Sequence, residues 1–253
     1  MQDQASVQRM HSFDGTTIAW RELGRGRPVL LLHGLFSHGD MNWLQFGAAQ
    51  ALADAGLRAI VPDFRGHGLS DAPRDAAAWP PDVLSRDIEI LVATLGFGDF
   101  DLAGYSLGAR TAVRLVVRGM RPRRLVLAGM GLAGIVRSGD RMEFFLRAIE
   151  QRDVARPGTA EWLAAQFLKS TGTDPVAAEH LLRAQVQTRE GDLASVTMPT
   201  LVLCGEDDRD NGSGAELAAA LPAARFVEVP GNHMTAPTTA VFAAAIRDFL
   251  LED

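Results

Sequence analysis

The chain has 253 residues, 47% hydrophobic and 22% charged, with a formal net charge of −6. That length fits one α/β-type domain, with or without a small insertion, and buries a sizeable core without disulfides or metal. The acidic balance, with no long run of like charge, argues against a general affinity for nucleic acid or anionic membranes and leaves small neutral substrates open.

The single cysteine, Cys204, rules out an intrachain disulfide. It lies in the apolar run 199–205 and reads as a small buried strand residue. The opening MQDQASVQRMHSFDG is polar and lacks the apolar stretch of a secretory leader. No stretch reaches the ~18 apolar residues that span a bilayer. The expectation is a cytoplasmic protein that does not bind membranes.

Along the chain, short apolar runs rich in Val, Leu and Ile alternate with helical patterns. That order implies a mostly parallel sheet covered by helices on both faces. Two strands, residues 6–13 and 16–22, flank Asp14-Gly15, a strong hairpin turn. Buried-type strands follow at 28–32, 58–62, 100–103, 124–128, 200–204 and 225–229. Helices are expected at 44–55, stopped by Gly56, and at 81–95, with Pro81 first and Gly96 after its end. Three more are expected at 107–118, 215–221 and 238–250.

The stretch from 128 to 200 is too long for one crossover. It carries three helical patterns, at 140–152, 159–169 and 174–189. Thr159 and Asp174 are good N-caps, the second followed by Pro175 at the first helical position. One helix suffices to reconnect the sheet, so the others read as a small helical cap. The division expected is a core of residues 1–130 and 191–253, with 131–190 supplying the cap and the reconnecting helix.

Gly104-Tyr105-Ser106-Leu107-Gly108 fits G-x-S-x-G, directly after an apolar strand and before a helix. The spacing has a physical reason. A serine on a very tight strand-to-helix turn is pushed out above the sheet, and side chains two positions either side would collide. The turn also brings the free N–H groups of a helix N-terminus beneath the reacting oxygen. Ser106 is therefore the candidate nucleophile. His33-Gly34 follows the strand 28–32, where a loop can aim a backbone N–H at a developing oxyanion. The two donors expected are the N–H groups of Leu35 and Leu107. His33 itself reads as a loop-ordering residue rather than a base.

These pieces resemble the α/β-hydrolase superfamily over nearly the whole chain, in its serine-nucleophile, esterase-like branch. The resemblance is carried by His33-Gly34 after a strand and by Pro62-Asp63-Phe64-Arg65-Gly66-His67-Gly68-Leu69-Ser70. It continues through Gly104 to Gly108, Gly205-Glu206-Asp207-Asp208 and Gly231-Asn232-His233, all in the family's order. It implies an eight-stranded, mostly parallel sheet with strand two antiparallel and a helical cap after strand six. It also implies the order nucleophile, acid, base. Of six histidines, at 11, 33, 38, 67, 180 and 233, only His233 follows the last strand, so the base role goes there. Asn232 stands where the family has a small residue. The acid usually lies three residues after the glycine, which is Asp208, although Asp207 and Asp210 remain alternatives. Arg209 stands where the family often has proline. No carboxylate follows strand six, which removes the family's other position for the acid.

Gly129-Met130-Gly131-Leu132-Ala133-Gly134 fits G-x-G-x-x-G, but a broken pattern follows and no strand occurs before 200. That argues against NAD or FAD, and the glycines read as a close-packed entry to the cap. The loop Arg65-Gly66-His67-Gly68 reads as structural. No zinc spacing occurs, so neither metal nor cofactor is expected. Phe36, His38, Trp43 and Tyr105 lie near the catalytic loops and are candidate pocket walls. Phe144, Phe145, Trp162 and Phe167 make the cap aromatic, and Phe145 and Trp162 join the wall candidates.

A serine nucleophile implies an acyl-enzyme route and argues against the halide displacement and epoxide opening of relatives with Asp in its place. The expectation is an esterase for small, fairly apolar carboxylic esters, with no protein partner implied and monomer or homodimer equally compatible. Lactone hydrolysis, C–C cleavage of β-diketones and peracid formation would use the same parts. A non-catalytic ligand-binding protein on this fold is the competing class.

Overall fold

In the computed structural model, which describes residues 6–252, eight strands form one sheet. Residues 1–5, part of the polar opening on which the reading of no leader rests, lie outside the described range. Among the described residues no helix is long and apolar enough to cross a membrane.

Strands β1 (Val7–His11) and β2 (Thr17–Gly24) form the expected hairpin, with Gly15 at φ 86° in its turn. Then come β3 (Arg27–Leu32), one wide turn at Asp40–Leu44, α1 (Ala48–Asp54) and β4 (Leu57–Pro62). The central part runs α2 (Val83–Leu95), β5 (Asp101–Tyr105), α3 (Leu107–Val117) and β6 (Leu125–Ala128). Four helices follow before the sheet resumes: α4 (Leu132–Val136), α5 (Gly139–Glu150), α6 (Ala160–Ser170) and α7 (Pro175–Arg183). The chain closes with β7 (Thr200–Gly205), α8 (Gly214–Ala220), β8 (Ala224–Val229) and α9 (Ala240–Leu251).

The strand order is β1-β2-β4-β3-β5-β6-β7-β8. β2 is antiparallel to both neighbours and every other pairing is parallel. This is the α/β-hydrolase arrangement. The chain steps from β3 outward to β4, then crosses back to β5 on the other side of β3. The order therefore reverses between β3 and β5, and a crevice opens beyond the carboxyl ends of strands at such a point. The loops after β3 and β5 carry Gly34 and Ser106.

Alternation along the strands explains the two covered faces. Leu30 and Leu32 of β3 face one core with Leu102, Leu125, Leu127 and residues of α2, α3 and α8. Val29 and Leu31 face the other, with Ala103, Val126 and residues of α1 and α9. Each such leucine, fully buried, contributes roughly 1.5–3 kcal/mol of transfer free energy. A third, smaller cluster of Phe36, Ile149, Leu168, Ala178 and Leu182 seats α5, α6 and α7 over the loop after β3. Cys204 is buried as expected, and burial pushes its thiol up to about 11.

Four helix expectations need correction. The pattern at 44–55 is split, because Gly47 takes φ 81° and separates the wide turn from α1. The pattern at 81–95 opens later, at Val83, because Asp82 adopts φ 58° and Pro81 lies before the helix. The third pattern of the long insertion ends at Arg183, not 189. There the Ala184 carbonyl accepts the Asp82 N–H at 3.2 Å, which ties the end of α7 to the start of α2. The broken pattern after Gly131 contains the short helix α4, which the sequence reading left out.

The loops after β3 and β4 are bound together by buried histidines. His33 Nε2 accepts the Phe64 N–H at 2.8 Å, and His67 Nε2 accepts the Phe36 N–H at 3.2 Å. An imidazole nitrogen that accepts carries no proton, so both rings hold it on Nδ1, facing the carbonyls of Gly34 and Arg65. Asp63 adds a clamp, accepting from the N–H groups of Gly39 and Leu69. Arg65 is fully buried between Asp14 and Asp87, which fits the structural reading of its loop.

Burial pushes His33 and His67 down to about 3. Free imidazole titrates near 6.5, so the unfolded chain takes up protons below that pH while the native rings do not. Stability therefore falls as pH drops from about 6.5 toward 3, by up to about 1.4 kcal/mol per pH unit for each ring. Urea unfolding between pH 6.5 and 5, above most carboxylate titration, reads this slope. His67→Gln is expected to remove roughly half of it, and an unchanged slope would contradict the assignment.

Candidate active site

Ser106 sits between β5 and α3 at φ 53° and ψ −112°. A non-glycine residue in that region carries roughly 1–3 kcal/mol of strain, which surrounding structure must hold in place. The two glycines make the turn possible. A Cβ on Gly104 would lie 2.3 Å from the Gly108 backbone, and one on Gly108 would lie 2.2 Å from the Leu32 carbonyl. The expected steric reason for G-x-S-x-G is thus present. Ser106 N–H donates to the Ala128 carbonyl at 2.9 Å, which ties the turn to the end of β6.

His233 lies in the loop after β8, and its Nε2 is 3.1 Å from Ser106 Oγ. Its Nδ1 is 2.8 Å from Asp208 Oδ2. An Asp208 carboxylate accepts from Nδ1–H, which leaves the Nε2 lone pair facing the serine hydroxyl. The other oxygen, Asp208 Oδ1, accepts the Asp210 N–H at 3.2 Å. Of the carboxylates crowding the end of β7, Asp208 is the buried one. Glu206, Asp207 and Asp210 are exposed. Asn232 does not disturb the loop, since its Oδ1 accepts from the N–H groups of Met234 and Thr235 and closes the turn around His233.

The loop after β3 lies against Ser106, where a Cβ on Gly34 would be 3.5 Å from Ser106 Cβ. The amides flanking Leu35 are taken. Gly34 N–H donates to Asn42 Oδ1 at 2.8 Å and Phe36 N–H to His67. Leu35 N–H between them has no acceptor among the described residues. Leu107 is the first residue of α3, a position whose N–H has no intrahelical acceptor.

Ser106 and His233 open into a cavity of about 770 Å³. Phe36, Tyr105 and Phe145 line it as expected, together with Phe144 and Phe167. His38, Trp43 and Trp162 do not. His38 Nδ1 accepts the Met41 N–H and serves its own turn. Trp43 is buried beneath the cavity wall against Phe242. Trp162 is on the wrong side of α6, whose Ala160, Leu163, Ala164 and Phe167 face the cavity at helical spacing. The same spacing on α5 brings Arg141 in beside Phe144 and Phe145, a wall residue the sequence reading missed. Arg141 pairs with Asp210 at 2.8 Å, joining α5 to the loop that carries Asp208.

The G-x-G-x-x-G stretch holds no ligand-binding turn of the dinucleotide type. The helix there is five residues long and no strand follows before β7. Gly131 instead packs so closely on Gly212 that a Cβ would lie 2.2 Å from its carbonyl oxygen. Among the described residues there is no group of three or more His, Cys, Asp or Glu that could hold a metal ion.

Comparison with known proteins agrees with this architecture. The chain is 27% identical over 215 residues to the AB hydrolase superfamily protein YisY of Bacillus subtilis, covering 76% of this chain and 78% of the relative. It is 26% identical over 246 residues to an N-formylmaleamate deformylase of Pseudomonas putida, covering 90% of each. A malate-bound thermophilic esterase from Thermogutta terrifontis superposes with a TM-score of 0.78 at 26% identity, over 97% of this chain and 98% of that one. The profile of the alpha/beta hydrolase family matches residues 29–245. The chain belongs to the alpha/beta hydrolase family and is a hydrolase.

Proposed function

We propose that the protein hydrolyses carboxylic esters of small, fairly apolar substrates through an acyl-enzyme intermediate on Ser106. The observation that carries this reading is the unbroken hydrogen-bonded run from Ser106 Oγ through His233 to Asp208, with Ser106 and His233 lining a largely apolar cavity. His233 Nε2 takes the Ser106 proton as Oγ attacks the ester carbonyl. The N–H groups of Leu35 and Leu107 receive the oxyanion. His233 then returns the proton to the leaving alcohol, activates a water, and the acid is released. Asp208 keeps the imidazole in the required tautomer and stabilises its charged form.

The cavity walls favour this substrate class. Phe36, Phe144, Phe145 and Phe167 offer aromatic surface to an acyl or alcohol group. The 26% identical relative named as a deformylase supports acyl transfer to water in general. The inserted helices α5 and α6 supply much of the wall, so we read them as a substrate-selecting cap on a core of residues 1–130 and 191–253.

Three outcomes are expected with p-nitrophenyl esters of rising acyl length. Wild-type protein turns over the short members. Ser106→Ala loses at least about a thousandfold in kcat while its melting curve stays close to wild type. Asp208→Asn loses roughly 10²–10⁴-fold, whereas Asp207→Asn stays within about threefold. A loss of less than about tenfold in Ser106→Ala would sink the nucleophile assignment, and a larger loss in Asp207→Asn than in Asp208→Asn would move the acid.

A further inference from the structure

Tyr105 is the chain's single tyrosine, and it immediately precedes Ser106. The sequence offers it as a wall of the pocket. The structure gives it more to do. Its side chain is almost wholly buried, with the ring edge-on to Phe242 at 5.9 Å. On another side it lies on Gly129, where a Cβ would come within 2.7 Å of the ring. The ring therefore has little room to move.

From that fixed position Tyr105 makes two contacts with His233. Its hydroxyl donates to the His233 main-chain carbonyl. Its ring lies 5.2 Å from the imidazole at an interplanar angle of 36°. Among the described residues no other hydrogen bond reaches the His233 main chain. The turn around His233 is closed internally by Asn232, and Asp207 N–H holds its start through the Gly231 carbonyl at 3.0 Å. Burial pushes the Tyr105 phenol well above its ordinary range, so the hydroxyl remains protonated and acts as the donor.

We propose that Tyr105 is a positioning residue that registers the base against the nucleophile, through its hydroxyl on the His233 carbonyl and its ring against the imidazole. The inference rests on reading Ser106 as nucleophile and His233 as base. Its physical content is a short mechanical path. Ser106 and Tyr105 share a peptide bond, so the Ser106 Oγ to His233 Nε2 distance is set across one residue rather than around the whole sheet. Catalytic geometry misplaced by about 1 Å can lose about a hundredfold in rate. Deleting only the hydroxyl loosens one of two restraints and is expected to have a smaller effect.

The test is Tyr105→Phe, which keeps the ring and removes the donor. The expected result is a loss of about tenfold in kcat with KM within about twofold. Phosphonylation of Ser106 by a fluorophosphonate should slow by the same factor. A pocket-wall role would instead raise KM. Because the tyrosine is single, growth on 3-fluorotyrosine labels this position alone, and the wild-type sequence serves if the Phe variant folds poorly. Its 19F resonance is expected to move when Ser106 is phosphonylated, since the ring is joined to Ser106 by one peptide bond and lies against the His233 imidazole. Wild-type kcat in folded Tyr105→Phe, a loss confined to KM, or a 19F resonance unmoved by phosphonylation overturns the proposal. Ser106→Ala run alongside separates the two readings. A Ser106→Ala loss of less than about tenfold rejects the nucleophile, not the positioning role alone.

Discussion

The backbone at Ser106 is held at φ 53° and ψ −112°, a conformation that isolated chains avoid. Much of the rest of the molecule can be traced to holding it. The turn fits only if Gly104 and Gly108 carry no side chains, because a Cβ on Gly104 would strike the start of α3 at Gly108 and one on Gly108 would strike Leu32 at the end of β3. Once it fits, the chain passes from β5 directly into α3 and the hydroxyl projects beyond the strand ends. The parallel strands on either side, β3 and β6, anchor the turn. β3 does so by close contact of Leu32 with Gly108, and β6 through the Ala128 carbonyl that accepts the Ser106 N–H. Strain at Ser106 is thus offset by the most deeply buried part of the sheet.

The facing side of the crevice is stabilised differently, by polar groups taken out of water. His33, His67, Asp63 and Arg65 are all buried, yet each finds partners. Buried polar groups left unpaired would be destabilising, and these stay favourable because backbone amides and carboxylates meet them. Their arrangement occupies the amide of Phe36 and, among the described residues, leaves that of Leu35 without an acceptor on the loop beside Ser106. The same network that orders the loop therefore leaves an amide for the oxyanion of the proposed reaction. Neutral imidazoles suit this role, since a charged ring could not accept the amides of Phe64 and Phe36.

Much of this was legible in the residues. G-x-S-x-G encodes its own steric reason, and β-type runs with intervening helical patterns disclosed the sheet. The order of Ser106, Asp208 and His233 followed from a family resemblance rather than from spacing. Burial then separates Asp208 from its acidic neighbours, which no local pattern could do. The walls were harder, because they depend on helical phase and on where a helix docks. Trp162 looked apt by composition but turns away, while Arg141 enters on the same face as Phe144 and Phe145. His38 and Trp43 sit close in sequence to the catalytic loop, yet one serves its own turn and the other the core. Left-handed residues at Gly47 and Asp82 moved helix boundaries, since a positive φ breaks a helix wherever tertiary packing stabilises it.

The central claim is chemical, namely that an acyl group resides covalently on Ser106 during turnover. Rapid acid quench during steady-state hydrolysis of a p-nitrophenyl ester, followed by intact-mass and peptide mass spectrometry, tests it most directly. The account predicts a protein mass raised by the acyl group, with the adduct confined to the peptide bearing Ser106. Continued turnover with no acyl adduct even under conditions that slow deacylation, or an adduct on another residue such as Cys204, would contradict it.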